Sequence, residues 1–256
     1  IQKIEEITDE QILKLLPKNE IQVFKDRALN PNKPHQAGTA QNPDVFFQNK
    51  EASNIFYQEA FNTITKTMKE VGKVIGRRYS PFEYYGDLDA ENVIVVMGSA
   101  SETCEETIDT IIKNRDEFKV LGKVGLLKVR LYRPFDVKTF VEALPKTVKR
   151  IAVLDRTKES GAIGEPLYLD VMSALSEMKV TGIEVVGGRY GLGSKEFTPR
   201  CVVAVFENLI KKSPKTHFTV GIEDDVTNLS LPIETKLIKT YKKIQDKYSK
   251  NIYEMI

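Results

Sequence analysis

From Asn92 onward, short runs of aliphatic and β-branched residues alternate with stretches whose apolar residues recur at helical spacing. No other feature of the chain restricts its fold as much. The runs are Val93–Met97, Val124–Leu131, Ile151–Leu154, Ile183–Val186 and Phe218–Ile222. Between them, Cys104/Ile108/Ile111/Ile112, Val137/Phe140/Val141/Leu144, Tyr168/Val171/Met172/Leu175 and Val202/Val205/Phe206/Leu209 keep the helical period. Strands that are apolar throughout need cover on both faces, and helices inserted between parallel strands supply it. The pattern therefore predicts a three-layer α/β/α sandwich around a mostly parallel five-stranded sheet. Helix starts are marked too: Ser99 with Glu102 has capping-box spacing, Pro166 follows a turn, and Thr198 precedes Pro199 as an N-cap before a first-turn proline.

The preceding residues have a different texture. Thr8–Leu16 and Ile21–Leu29 read as short helices, followed by the polar, turn-rich stretch NPNKPHQAGTAQNP. Tyr57, Phe61, Ile64, Met68, Val71 and Ile75 then recur at alternating steps of four and three, which lays one apolar stripe along a helix and requires a partner for it. After Asp225, Leu237, Tyr241, Ile244 and Tyr248 repeat at helical spacing, as a tail helix or the opening of another domain would.

Composition removes several classes of function. The 38 basic residues nearly cancel the 36 acidic ones, so the net charge of +2 gives no broad basic field for nucleic acid and no polybasic membrane anchor. The apolar runs fall far short of the roughly 20 residues that a spanning helix needs. Only Cys104 and Cys201 occur, each within a helical pattern, which fits a reducing compartment and encodes neither a disulfide framework nor a cysteine-ligated cluster. The chain starts at Ile1 without a signal-peptide pattern and is expected to be a piece of a longer protein.

In an open parallel sheet, ligands meet the carboxyl ends of the strands. Gly98, Ser99 and Ser101 follow the first run and are candidates for holding an anion, against the plainer reading of a capped turn. Gly188 and Gly193, with Ser194 and Lys195, have G-x-x-x-x-G spacing after a strand. The order Ser-Lys is the reverse of a nucleotide-binding loop, which leaves Gly193 and Ser194 as anion candidates or as an ordinary glycine turn. The stretch LDRTKESGAIGEPL offers Asp155, Arg156, Lys158, Glu159 and Glu165 around Gly161 and Gly164. A charged strand end is usually a solvated loop, yet mixed charge beside two glycines also suits the approach of another domain. His35 and His217 stand alone in sequence, no metal-ligand spacing is present, and no nucleophile–base set can be read.

Six stretches carry a family resemblance. GTAQNPDVFFQNKEASNIFY, VIVVMGSASETCEETID, KVRLYRPF, VLDRTKESGAIGEPLYLDV, GGRYGLGSKEFTP and HFTVGIEDDVT look like the pyruvate:ferredoxin (or flavodoxin) oxidoreductases in the same order, including the related pyruvate:NADP+ oxidoreductases fused to a flavin reductase. The likeness runs from about Leu29 to Leu231, and the lysine-rich end departs from it. It implies that residues 1–88 are the last portion of a pyrimidine-binding thiamine diphosphate domain with its linker, that residues 89–215 are a transketolase C-terminal-like domain, and that residues 216–256 lead into the next domain.

The same resemblance implies a non-catalytic internal piece of an enzyme that oxidises pyruvate with coenzyme A to acetyl-CoA and CO2. Electrons would pass to ferredoxin, flavodoxin or a fused NADP-linked reductase. Thiamine diphosphate, Mg2+ and three [4Fe-4S] clusters belong to other parts of such an enzyme, so no cofactor, catalytic residue or metal ligand is expected in this stretch. Expected partners are the other domains of the same chain and a second copy in a homodimer, with no nucleic acid and no membrane, in the cytoplasm or a hydrogenosome-like organelle. Asp155, Arg156, Lys158, Glu159 and Glu165 then read as a docking surface. The alternative is an independent module that binds a small anion, such as a coenzyme A phosphate, at Gly98–Ser101 or Gly188–Ser194.

Overall fold

In the computed structural model, residues 6–35, 38 and 40–233 are described. The chain divides into two compact units between Pro81 and Phe82.

The first unit is helical: α1 Asp9–Leu15, α2 Lys18–Asp26, α3 Pro43–Ala52 and α4 Asn54–Ile75. Thr8 starts α1 with a reciprocal cap, since its hydroxyl accepts from the Gln11 amide while the Gln11 side chain accepts from the Thr8 amide. Helix α2 lies a few residues ahead of its expected position. Helix α3 lies where only polar loop and the approach to the long helix were read; Pro43 occupies its first turn. The long stripe falls on α4 as expected, but it finds little cover. Tyr57 is 60% exposed, Phe61 to Ile75 along the stripe are only half-buried, and Gly72 is the sole buried residue of the helix.

The second unit contains β1 Phe82–Gly86, β2 Asn92–Met97, α5 Ala100–Lys113, β3 Val124–Val129, α6 Val137–Ala143, β4 Arg150–Asp155, α7 Pro166–Glu177, β5 Glu184–Arg189, α8 Pro199–Leu209 and β6 Phe218–Thr219. They build an α/β sandwich whose six-stranded sheet has the order β1-β3-β2-β4-β5-β6. All neighbouring pairs are parallel except β1 with β3. The sheet thus has one strand more than the sequence pattern counts. The extra strand FEYYG joins as an antiparallel edge and needs no crossover helix, so the βα alternation does not announce it. Because β1 and β6 are both in the sheet, residues 82–88 and Phe218–Thr219 belong to this unit rather than to flanking linkers.

Strand alternation decides which helices each residue meets. Ile94, Val96, Leu126, Ala152, Leu154 and Val186 share one core with Cys104, Ile108 and Ile111 of α5 and Val202, Val205 and Phe206 of α8. The residues of opposite parity, such as Val93, Val95, Ile151 and Val153, turn to the other face, where α6 and α7 pack together.

Two expected caps differ in detail. Ser99 has helical backbone angles and makes no side-chain cap hydrogen bond; instead Ser101 Oγ donates to the Gly98 carbonyl at 2.7 Å. Thr198 stands at the N-cap before Pro199, but its hydroxyl lies 3.6 Å from Cys201 Sγ and caps nothing. The helical pattern after Ile233 lies outside the described residues.

Candidate functional site

From β2 the chain crosses through α5 to β3 on one side, then returns through α6 to β4 on the other side of β2. Connections that part in this way leave a crevice outside the carboxyl ends of the two strands, where α/β sheets receive ligands. At the end of β4, Asp155 and Arg156 are neighbours in sequence and point to opposite faces. They begin two separate constellations.

On the α7 face, Asp155 is 2% exposed. Its Oδ1 accepts from the Leu167 amide at 2.9 Å and Oδ2 from the Tyr168 amide at 3.1 Å. These amides belong to the first turn of α7, so a strand residue caps a helix that starts far along the chain. Burial pushes the Asp155 carboxyl above its usual range, the two amides pull it back, and the nearby Glu165 and Asp170 push it up further. Glu165 precedes α7 yet makes no cap of its own. Its Oε1 lies 3.3 Å from Arg189 Nη1 and 3.9 Å from Lys158 Nζ, while Oε2 is buried without a hydrogen-bond partner. Arg189 Nη2 donates to the His217 carbonyl at 2.8 Å, and the His217 ring meets Tyr168 edge-on at 5.5 Å.

On the α5/α8 face is a recess of about 180 Å³ lined by Ser99, Ala100, Thr103, Arg156, Tyr190, Gly191, Lys195 and Phe197. Arg156 Nε donates to the Gly191 carbonyl at 2.9 Å. Gly191 has a φ of +66°, and a Cβ there would stand 3.3 Å from Arg156 Nε, so glycine lets the arginine arm lie across the turn. Tyr190 Oη donates to the Met97 carbonyl at 3.3 Å, and burial pushes its hydroxyl up to about 12, which keeps it a neutral donor. Among the described residues, no carboxylate lines the recess.

Of the charged loop, Arg156, Lys158 and Glu159 face solvent, whereas Asp155 and Glu165 do not. Of the five docking candidates these two are buried within the unit: strand parity carries Asp155 inward, and Arg189 holds Glu165 there. Gly161 lies in open space, but a Cβ on Gly164 would stand 2.5 Å from Tyr168 Cδ1, so that glycine admits its own chain's ring rather than a partner's backbone. Gly188 sits within β5 under the Phe218 ring, which removes the loop reading of its G-x-x-x-x-G spacing. Among the anion candidates, Ser99 lines the recess, while Gly98, Ser101, Gly193 and Ser194 do not. Thr103, Tyr190 and Phe197 were not singled out from the sequence, although Tyr190 follows directly on β5 in the same parity as Val186.

Cys104 and Cys201 are free, buried thiols, and burial pushes Cys104 well above the usual thiol range. Among the described residues, no group of three or more His, Cys, Asp or Glu side chains is placed to hold a metal ion, so these residues do not fit an iron–sulfur cluster. No helix among them is long and apolar enough to cross a membrane.

Residues 90–202, which contain every residue of the two constellations named above except His217, match the family model for pyruvate:ferredoxin oxidoreductase core domain II. The chain belongs to the pyruvate:ferredoxin oxidoreductase family. It is 52% identical over 234 residues to the pyruvate:ferredoxin oxidoreductase of Moorella thermoacetica, covering 91% of this chain and 19% of that protein. It is 50% identical over 250 residues to a probable pyruvate-flavodoxin oxidoreductase of Escherichia coli, covering 96% of this chain and 21% of the relative. A pyruvate dehydrogenase [NADP(+)] of Cryptosporidium parvum is 49% identical over 233 residues, covering 90% of this chain and 12% of that protein. The chain spans about a fifth of the length of the first two relatives.

Proposed function

We propose that this oxidoreductase-family chain is a non-catalytic internal part of an enzyme that oxidatively decarboxylates pyruvate with coenzyme A to acetyl-CoA and CO2, with electrons leaving to ferredoxin, flavodoxin or a fused NADP-linked reductase. Its work is to hold the thiamine-binding domains in place and to support packing of a homodimer. The observation that carries this reading is the fate of the carboxyl-edge acids. Asp155 and Glu165, which would serve as a base or an acid if free, are buried and engaged by the α7 amides and by Arg189. What the loop offers outward is the mixed charge of Arg156, Lys158 and Glu159, which suits recognition better than proton transfer.

In this reading the helical unit is the closing portion of the pyrimidine-binding thiamine diphosphate domain, and the sandwich is transketolase C-terminal-like. Thiamine diphosphate, Mg2+ and the [4Fe-4S] clusters are held elsewhere in the parent enzyme, which works in the cytoplasm or a hydrogenosome-like organelle. The purified chain, supplied with pyruvate, coenzyme A, thiamine diphosphate and an artificial electron acceptor, is expected to show no turnover. Cofactor-dependent turnover above background sinks the assignment. In the parent enzyme, replacing Arg156 and Glu159 together by alanine is expected to weaken subunit or domain association and to lower activity in step. Intact assembly with only the chemical step lost would make the loop catalytic.

A further inference from the structure

We propose that the recess between Ser99, Arg156 and Lys195 is a binding site for a phosphate-bearing small molecule, with the phosphoryl group seated between the two cations. The sequence offers the strand end at Ser99 and the loop before Lys195 as separate, weak features; the fold joins them to Arg156 in one concave site. It lies where connections diverge around β2 and β4.

Three observations favour an anion, and a phosphate in particular. First, the two cations carry no counter-charge: among the described residues neither Arg156 nor Lys195 has an acidic partner within ion-pair distance. The acid next to Arg156 in sequence, Asp155, is turned to the opposite face and engaged by Leu167 and Tyr168, Glu165 is engaged by Arg189 and Lys158, and Glu196, next to Lys195, does not line the recess. Second, Arg156 is pre-set. Its Nε is tied to the Gly191 carbonyl, so the arm is held while the Nη donors make no hydrogen bond to described residues. An arginine fixed in this way loses little freedom on meeting an anion. Third, the donors exceed what a carboxylate uses. A guanidinium fork satisfies two oxygens, and the lysine with the Ser99 and Thr103 hydroxyls supplies donors for the third oxygen of a phosphate. Phe197 and Tyr190, whose rings lie 4.6 Å apart, give the recess an apolar wall against which the rest of such a molecule can rest.

The site rests on this chain's own geometry, so its failure leaves the family reading untouched. The test is titration of the whole chain with inorganic phosphate at constant ionic strength, followed by calorimetry or amide shifts, with adenosine 3′,5′-bisphosphate and adenosine as separate arms. Saturable phosphate binding in the millimolar range is expected, tighter for the bisphosphate and absent for adenosine. Lys195→Gln is expected to weaken binding severalfold, and the Arg156→Ala/Lys195→Gln pair by about 10-fold or more, with circular dichroism unchanged. Should Arg156→Ala disturb the Gly191 turn, Arg156→Lys keeps the charge without the fork and is expected to weaken binding severalfold. If only inorganic phosphate binds, the site serves the free ion; if the bisphosphate binds more tightly, it serves an organic phosphate ester. Non-saturable behaviour, or affinity that is the same in the double variant as in the native chain, overturns the proposal.

Discussion

The two units bury their apolar residues very differently. In the sandwich, Val93, Ile94, Val95 and Val96 of one strand are all 0% exposed, as are Phe118, Phe140, Phe206 and Phe218. In the helical unit, α3 and α4 leave Phe46 54%, Phe47 70% and Phe56 68% exposed. Both regions have amphipathic patterns, but a sheet with helices on each face closes a core from its own residues, whereas a stripe on a helix only states that some partner is required. The contrast fits the reading of the first unit as the end of a domain whose remainder covers these rings.

The largest expected effect lies in the sandwich. Phe206→Ala removes a fully buried ring from α8 and is expected to lower stability by about 3–5 kcal/mol in urea denaturation. A loss below about 1 kcal/mol would mean that the core is loosely packed and the contrast between the units is overstated.

An intermediate effect is expected at Asp155. Asp155→Ala leaves the Leu167 and Tyr168 amides without their acceptor and is expected to cost about 1–2 kcal/mol at neutral pH. Its pH dependence has a definite sign. The native carboxyl is pushed above the ordinary aspartate range, so its contribution favours the folded state below that range and is lost as pH rises through the native value. Relative to Asp155→Asn, the native chain is therefore expected to gain melting temperature on going from about pH 7 to about pH 4. A difference that moves the opposite way would show that the two amides outweigh burial.

The smallest effect is expected in the helical unit. Phe47→Ser is expected to change stability by no more than about 0.5 kcal/mol, because the ring is already in water, and to reduce self-association measured by light scattering. A loss as large as that of Phe206→Ala would break the comparison by revealing a core in the first unit.

Much of the sandwich was legible. Val93–Met97 and Ile151–Leu154 are apolar at every position, and only a strand covered on both faces accommodates that. Strand β1 escaped because FEYYG is a half-buried edge with neither that composition nor a following helix. Helix α3 escaped because Phe46 and Phe47 are adjacent, which gives no helical period. At the site, the charged loop was legible as a sheet-edge feature but the direction of each charge was not. Counting in twos from Ile151 through Val153 places Asp155 on the α7 face, whereas nothing local to Glu165 announces Arg189, which lies 24 residues away. The recess was still less legible, because Ser99, Arg156 and Lys195 come from three separate connections and meet only when the sheet is assembled.

The Tyr168 ring lies against the backbone of both Gly164 and Gly187, one in the loop before its helix and one in the strand beneath it. In sequence Gly164 suits the approach of a partner, yet in three dimensions the two glycines form a mould for one aromatic residue. Their spelling is therefore tied to residue 168 rather than to any bound molecule. A relative that carries alanine at either glycine should carry a smaller side chain in place of the tyrosine, and this paired change can be sought across related sequences without measuring any activity.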